Sequence, residues 1–297
     1  MASIKEIQVR KKSIQDTMKI TNAMYMISSS KLKKAKKNLE ATEPYFYTLQ
    51  NTMSQILRHI PDMKNIYFDQ HEEKEPEEKR IGYIVITADK GLVGAYNHNI
   101  LKLAEEQLQN CANPVLFVLG EVGRQYFKRK KINIEEEFQY TVQNPTLGRA
   151  RKIAETVLEM YREGRLDEVH IIYTKMANFM QAEAETVKLL PLKKSDFYIN
   201  PLVDMHMEEL AMKPDACTVV NHIAADYFVG FVYGALVESF CSEQNSRMMA
   251  MEAAVDNAEE MLWELDIMYN RARQAVITQQ ITEVISGAKA QKKKKLS

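Results

Sequence analysis

The sequence of 297 residues has few cysteines, no net charge and no long run of apolar residues, and each shortage excludes a class of protein. Three cysteines without a C-x-x-C motif argue against a disulfide framework or a zinc ribbon. Forty basic residues balance forty acidic ones, which argues against a basic nucleic-acid binder and an acidic disordered chain. The charge-free stretches are too short for a membrane-spanning helix, and the N-terminal segment lacks an apolar signal-peptide region. We therefore expect a cytosolic protein with reduced cysteines.

Glycine and proline are scarce at both ends of the chain. Neither occurs in residues 1–43 or 235–286, whereas nine of the ten glycines lie between Gly82 and Gly234. Because these residue types punctuate turns, their absence permits long helices at both ends. In the C-terminal stretch, apolar residues at heptad spacing from 234 to 276 predict a coiled coil.

The two ends carry opposite charges. Residues 1–43 hold ten basic and four acidic residues, whereas residues 215–287 hold three basic and eleven acidic ones. If the helices run antiparallel, Arg10–Lys12 lies beside Glu259–Asp266, and the lysines of 31–37 lie beside Glu238 and Glu243. Facing residue numbers then sum to about 275, which leaves residues 274–286 as a single helix beyond its partner. The alternative is two unrelated solvated faces.

The middle of the chain alternates between strand and helix patterns. Apolar, β-rich runs occupy 81–87, 115–120, 169–175 and 184–192, and helical patterns occupy 95–111, 121–131 and 146–163. This alternation predicts a small α/β sheet of mainly parallel strands, with the last strand at an edge because of Pro191. The segment 227–237 is apolar on every helical side, which predicts burial between the N-terminal helix and the sheet domain.

A glycine-containing loop, ADKGLVGAYN, follows the first predicted strand at residues 88–97. Such a loop before a helix can bind phosphate, but the dinucleotide and P-loop motifs are absent and Asp89 would repel an anion. We favour a tight turn and close helix–strand packing for Gly91 and Gly94, and the same for GEVG at 120–123. We expect no cofactor, no metal and no specific binding of NAD or ATP.

Motifs at both ends resemble the gamma subunits of F-type ATP synthases. The matching residues are Lys12-Ser13-Ile14, Thr17, Lys19-Ile20-Thr21, Ala23-Met24, Met26 and Lys31-Leu32 near the N-terminus. Near the C-terminus they are Ser242-Glu243, Arg247-Met248, Ala250-Met251, Asn257-Ala258, Tyr269-Asn270, Arg273-Gln274-Ala275, Ile277-Thr278-Gln279, Ile281-Thr282-Glu283 and Ser286-Gly287-Ala288. Thr87, Asp89-Lys90-Gly91-Leu92, Gly94 and Asn97 are similar to that family's loop after the first strand.

The resemblance implies an α+β fold, in which both termini form a long antiparallel coiled coil and the centre forms a small α/β (Rossmann-like) domain. We expect these segments: 1–60 N-terminal coil helix, 61–80 charged linker, 81–192 foot domain, 193–214 linker, 215–287 C-terminal coil helix and 288–297 basic, disordered tail. The implied function is a non-catalytic central-stalk rotor. It would couple proton or sodium flow through a membrane ring to ATP synthesis or hydrolysis on beta subunits.

The implied partners are the hexameric ring of alpha and beta subunits, the epsilon subunit and the membrane c-ring, at the cytoplasmic face of a bacterial membrane. We expect neither a nucleic-acid partner nor a membrane span in this chain. The residues expected at the ring interface are Arg10, Lys11, Lys12, Lys19, Met24, Lys31, Arg247, Arg271, Arg273, Gln274, Thr278, Gln279 and Glu283. The apolar end of the helix would act as a bearing, with the basic residues making directional contacts lower down.

Two other classes of function remain open at the level of residues. A free-standing coiled-coil tether or chaperone-like protein would explain the long helices but not the terminal motifs. A nucleotide-dependent oxidoreductase would need the missing dinucleotide fingerprint. The coupling ion, the size of the ring, the direction of the motor and the role of the KKKK tail do not follow from the sequence.

Overall fold

A computed structural model describes residues 3–60, 63, 65–68, 74–75, 78–136, 138–176, 182–197 and 212–296. Along the chain, one long helix precedes the elements of the sheet domain and another follows them. The elements are α1 (Ile4–His59), β1 (Arg80–Ile86), α2 (Tyr96–Gln109), β2 (Asn113–Leu119), α3 (Glu121–Arg129), α4 (Leu147–Arg162), β3 (Glu168–Met176), β4 (Ala182–Leu190), a 3₁₀ turn (Lys194–Phe197) and α5 (Ala216–Leu296). The fold is α+β, as expected.

The four strands form one sheet in the order β2-β1-β3-β4. Strand β1 pairs in parallel with both β2 and β3, while β4 pairs antiparallel with β3 at an edge. The crossover helices bury the apolar runs of the parallel strands, and Tyr83, Val85, Leu116 and Ile172 share one core cluster with Ile100 of α2. The predicted parallel pairing and the predicted edge strand are both confirmed.

The chain divides into two compact units, and the division cuts through both long helices. A terminal unit contains residues 1–27 and 248–297, and a central unit contains residues 28–247. From the sequence, we expected the whole of each long helix to belong to the coiled coil. In the structure the inner parts of both helices belong to the unit that contains the sheet.

Two antiparallel helices form the terminal unit. Lys11 forms an ion pair with Asp266, and the Gln8 amide donates to the Tyr269 hydroxyl at 3.3 Å. The residue numbers of each pair add to 277, within two of the predicted register. Ile7 and Leu265 are buried in this pairing, so the antiparallel prediction is confirmed here.

Within the central unit, α5 packs against both α1 and the sheet. The rings of Phe46 and Tyr233 lie 6.3 Å apart, and those of Tyr173 and Phe231 lie 6.4 Å apart. The Ser239 hydroxyl accepts a hydrogen bond from the Thr174 backbone amide at 3.2 Å. Burial of 227–237 between the N-terminal helix and the sheet domain is therefore confirmed.

Helix α5 differs from the sequence expectation at two points. It ends at Leu296, so the predicted disordered tail at 288–297 is wrong for the described backbone. By length and mean hydropathy, residues 216–289 could also cross a membrane, but 61% of the most apolar window is buried inside the chain.

All three cysteines are free.

The predicted linkers are described only in part. Most of 193–214 lies outside the described residues, as do 61–62, 64, 69–73 and 76–77 of the first linker. In the described part of the first linker, Lys74 forms an ion pair with the buried Asp167 at 2.6 Å.

Candidate interaction surface

The end of α5 is an exposed helix, and we call residues 274–286 the tip. Every residue from 273 to 289 is exposed. The predicted residues Gln274, Thr278, Gln279 and Glu283 therefore face solvent, and the Gln279 amide donates to the Glu283 carboxylate at 2.9 Å. The exposed apolar side chains of the tip are Val276, Ile277, Ile281, Val284 and Ile285. A contiguous apolar surface of this kind marks an interaction site.

Most of the predicted basic contacts also lie on the surface of the terminal unit. Arg10, Lys12, Arg271 and Arg273 are exposed, and Lys19 is exposed in an ion pair with Asp16 at 3.1 Å. Exposed pairs of this kind contribute only about 0–1 kcal/mol, so they are free to exchange partners.

Two predicted residues of the terminal unit are less accessible. Lys11 is half-buried in its ion pair with Asp266, and Met24 is half-buried beside the seam. The pairing of Lys11 with Asp266 indicates a role for Lys11 in holding the two helices together.

The sequence reasoning missed a further set of exposed apolar side chains on the terminal unit. These are Val9, Ile20, Met26 and Ile27 on α1 and Met249, Met261, Trp263, Ile267 and Met268 on α5. Those on α5 lie outside the heptad positions predicted for 234–276. The sequence does contain a signal for this surface, because a coiled coil does not need apolar residues outside its own seam.

Arg247, which we expected at the ring interface, is buried within the central unit. Its side chain is 9% exposed, and its Nη1 lies 2.8 Å from a carboxylate oxygen of Glu243. Burial raises the pKa of Glu243, while the Arg247 charge opposes that rise; Asp89 adds to it and Lys31 opposes it. Arg247 thus pairs directly with this buried carboxylate in the central unit, and the charge of Lys31 acts on the same group.

The loop after β1 contains the predicted turn residues Asp89, Gly91 and Gly94. Asp89 accepts hydrogen bonds from the Glu121 backbone amide at 3.2 Å and from the Thr141 hydroxyl. Gly94 has φ 55°, which suits glycine and confirms a tight turn. A Cβ at Gly91 or Gly94 would meet nothing within 4 Å, so close helix–strand packing is wrong for both.

Close packing occurs instead at the second glycine pair. A Cβ at Gly120 would lie 2.2 Å from the Thr87 carbonyl oxygen, and one at Gly123 would lie 2.7 Å from the Thr87 side chain. The interpretation of GEVG as a packing motif is therefore confirmed. Among the described residues, no group of three or more His, Cys, Asp or Glu side chains could hold a metal ion.

Comparison with known proteins identifies the family. The ATP synthase family model matches residues 3–291. The ATP synthase gamma chain of Acetivibrio thermocellus is 48% identical over 98% of this chain and 100% of its own length. The gamma chain of Ruminiclostridium cellulolyticum is 45% identical over 97% of this chain and 98% of its own length. The chain belongs to the ATP synthase gamma-chain family.

A solved relative of this gamma-chain family member has the same architecture. A chain in the central stalk and c-ring of the mitochondrial ATP synthase of Tetrahymena thermophila superposes with a TM-score of 0.57. It is 25% identical, and the match covers 79% of this chain and 99% of that one. The family match over residues 3–291 confirms the resemblance noted from the terminal motifs.

Proposed function

We propose that this gamma-chain family member is the central-stalk rotor of an F-type ATP synthase. It couples proton or sodium flow through a membrane ring to ATP synthesis or hydrolysis. The observation that carries the proposal is the tip, a helix that extends beyond its partner with apolar side chains on several sides. A helix of about 20 Å is marginal in water by itself, so a surrounding partner is required.

The partners we propose are alpha and beta subunits around the terminal unit, and the epsilon subunit and c-ring at the central unit. The tip acts as a bearing inside an apolar collar. Arg10, Lys12, Lys19, Arg271 and Arg273 make polar contacts lower on the same unit. Since these charges are exposed, they exchange water for protein partners at small cost.

The chain itself is non-catalytic in this proposal. Rotation presents different faces of the terminal unit to the three beta subunits, so each nucleotide state is favoured by different contacts. Such coupling requires that the contacts between the terminal unit and a beta subunit differ from one nucleotide state to the next. Apolar and basic side chains are distributed unevenly around the terminal unit, so its faces offer different contacts. The complex lies at the cytoplasmic face of a bacterial membrane.

Reconstitution with alpha and beta subunits tests the proposal. We expect the full chain to form a stable complex with ATPase activity, and enclosure of the terminal unit to protect Trp263, the single tryptophan, from a soluble quencher. Removing residues 280–297 should weaken assembly yet leave some ATP-driven rotation.

Charge variants test the polar contacts separately. Replacing Arg10, Lys12, Arg271 and Arg273 by glutamine should keep assembly but lower the protons moved per ATP hydrolysed. Replacing the exposed Lys102 of α2 is a matched control that should change neither quantity. A chain that does not bind alpha and beta subunits would instead support a free-standing tether.

A further inference from the structure

The loop after β1 holds a leucine in a backbone conformation that leucine rarely adopts. Leu92 has φ 62°, and its side chain is 65% exposed. A Cβ makes this left-handed region unfavourable, so the conformation persists only where surrounding contacts fix the backbone. The contacts around residues 88–95, which we call the Leu92 loop, therefore identify what holds it.

Both flanks of the Leu92 loop are anchored in the central unit. Ala88, Val93 and Tyr96 are buried together, and the Ala88 backbone amide donates to the Asn97 side chain at 2.9 Å. The next residue, Asp89, accepts a hydrogen bond from the backbone amide of Glu121, the first residue of α3. These contacts fix the two ends of the loop, but none of them reaches Gly91.

Arg247 reaches the apex. Its Nη2 donates to the Gly91 carbonyl oxygen at 3.3 Å, while its Nη1 is paired with Glu243 at 2.8 Å. Both charged side chains are buried, at 9% and 4% exposure. A charge-assisted hydrogen bond is strengthened where water is excluded. A Cβ at Gly91 would meet nothing within 4 Å, and the contact observed at the apex is this hydrogen bond to the Gly91 carbonyl.

We propose that Arg247 is a positioning residue that fixes the apex of the Leu92 loop, so that Leu92 projects from the surface at a defined place. Glu243 orients the guanidinium group that makes this bond. Arg247 then affects coupling through the loop and not by touching the ring itself. The link to coupling rests on the proposed function, whereas the clamp on the loop does not.

Limited trypsin digestion of the full chain tests the clamp. The bond between Lys90 and Gly91 lies beside the clamped carbonyl, and its cleavage tracks the population of the open loop. In Arg247→Gln, cleavage there should be about tenfold faster, because a hydrogen bond to a charged group is lost. Arg247→Lys should be intermediate, since lysine keeps the charge but lacks the guanidinium fork.

Two further variants complete the digestion test. Glu243→Gln should also speed cleavage, because it releases the guanidinium group from its fixed orientation. Arg165→Gln is the matched control, because Arg165 forms an exposed pair with Glu163 at 2.7 Å in the same unit. Unchanged cleavage after Lys90 in Arg247→Gln would overturn the proposal. Should that variant lose its helical circular dichroism, Arg247→Lys decides by the same measurement.

A double-mutant cycle in the complete membrane-bound complex tests the route to coupling. Leu92→Ala and Arg247→Gln should each lower ATP-driven proton pumping per ATP hydrolysed. The double variant should pump no less than the single variant with the lower pumping, because both residues act through the same loop. Additive losses would show that Arg247 acts independently of Leu92 and would overturn the proposal. A failure of the proposed function would appear as lost assembly with alpha and beta subunits, while the digestion result would still decide the clamp.

Discussion

One helix, α5, lies in two different environments. No residue from 228 to 247 is exposed, whereas every residue from 273 to 289 is exposed. Both stretches are rich in apolar side chains, so hydropathy does not distinguish them. The central unit supplies its own packing partners from α1 and the sheet, while the tip has none among the described residues. The difference shows that an apolar helix face is a core only where the same chain covers it.

The largest effect should come from shortening a buried side chain of α5. Leu236, at 1% exposure, should cost about 2–5 kcal/mol of unfolding free energy when changed to alanine, because a cavity remains. Ile285→Ala, at 50% exposure in the same helix, should change it by less than about 0.5 kcal/mol. Urea denaturation followed by circular dichroism measures both, and similar losses would contradict the comparison.

Two glycines one helical turn apart sharpen the same contrast within the central unit. A Cβ at Gly230 would lie 2.0 Å from the Phe46 ring, whereas one at Gly234 would meet nothing within 4 Å. Gly230→Ala should therefore destabilise the chain by about 1–3 kcal/mol through overpacking. Gly234→Ala, the control, should stabilise it by up to about 1 kcal/mol through helix propensity. Equal and favourable effects in thermal denaturation would mean that Phe46 moves aside freely.

A pH-dependent effect should be confined to the central unit. A hydrogen bond with His170 at 3.2 Å, then Lys188 and Lys79, both at 3.1 Å, lower the pKa of Glu168 well below its usual value. Because this folded-state pKa lies below the unfolded one, its stabilisation is present above about pH 4.5 and is lost as the pH falls toward the folded pKa.

Glu168→Gln tests this by removing the titrating group. The variant should lose about 1–3 kcal/mol of unfolding free energy at pH 7, and its difference from the parent chain should shrink below about pH 4.5. Glu163→Gln, which removes a carboxylate from an exposed pair, is the control and should change the unfolding free energy at pH 7 by less than about 0.5 kcal/mol. If the difference in unfolding free energy between Glu168→Gln and the parent chain stays constant from pH 7 to pH 3, the pKa of Glu168 is not depressed.

The smallest effect on the isolated chain should follow removal of residues 280–297. This deletion should change the unfolding free energy by less than about 0.5 kcal/mol, because every described side chain that it removes is exposed. Assembly with alpha and beta subunits should nevertheless weaken. A clear loss of stability in the isolated chain would mean that the tip packs against its own chain.

Much of the fold was predictable because it depends on local pattern. The strand runs at 81–87, 115–120 and 169–175 differ from β1, β2 and β3 by only one or two residues at each end. Summed charge placed Lys11 beside Asp266, because complementary charges on two long helices select one register. The exposed tip followed from that register, since α1 is too short to accompany it.

The position of Arg247 was not predictable, and its case shows why. An arginine within a charged helix pattern is usually solvated, whereas this one is buried and bonded to the folded loop after β1. The same limit applies to Gly91, because sequence spacing cannot reveal that a Cβ there would meet nothing within 4 Å. Likewise, the boundary of the two units falls inside both helices, at a point that the heptad pattern does not mark.

By itself, the sequence determined the long terminal helices, their antiparallel register, the parallel strands and the family. These features follow from turn-residue frequency, hydrophobic period, summed charge and specific motifs, all of which are carried along the chain. Only the tertiary structure decided which apolar faces are core and which charged groups are buried. Burial and pairing depend on neighbours distant in sequence: Arg247, which is paired with Glu243, donates to the Gly91 carbonyl of the Leu92 loop, 156 residues earlier in the chain.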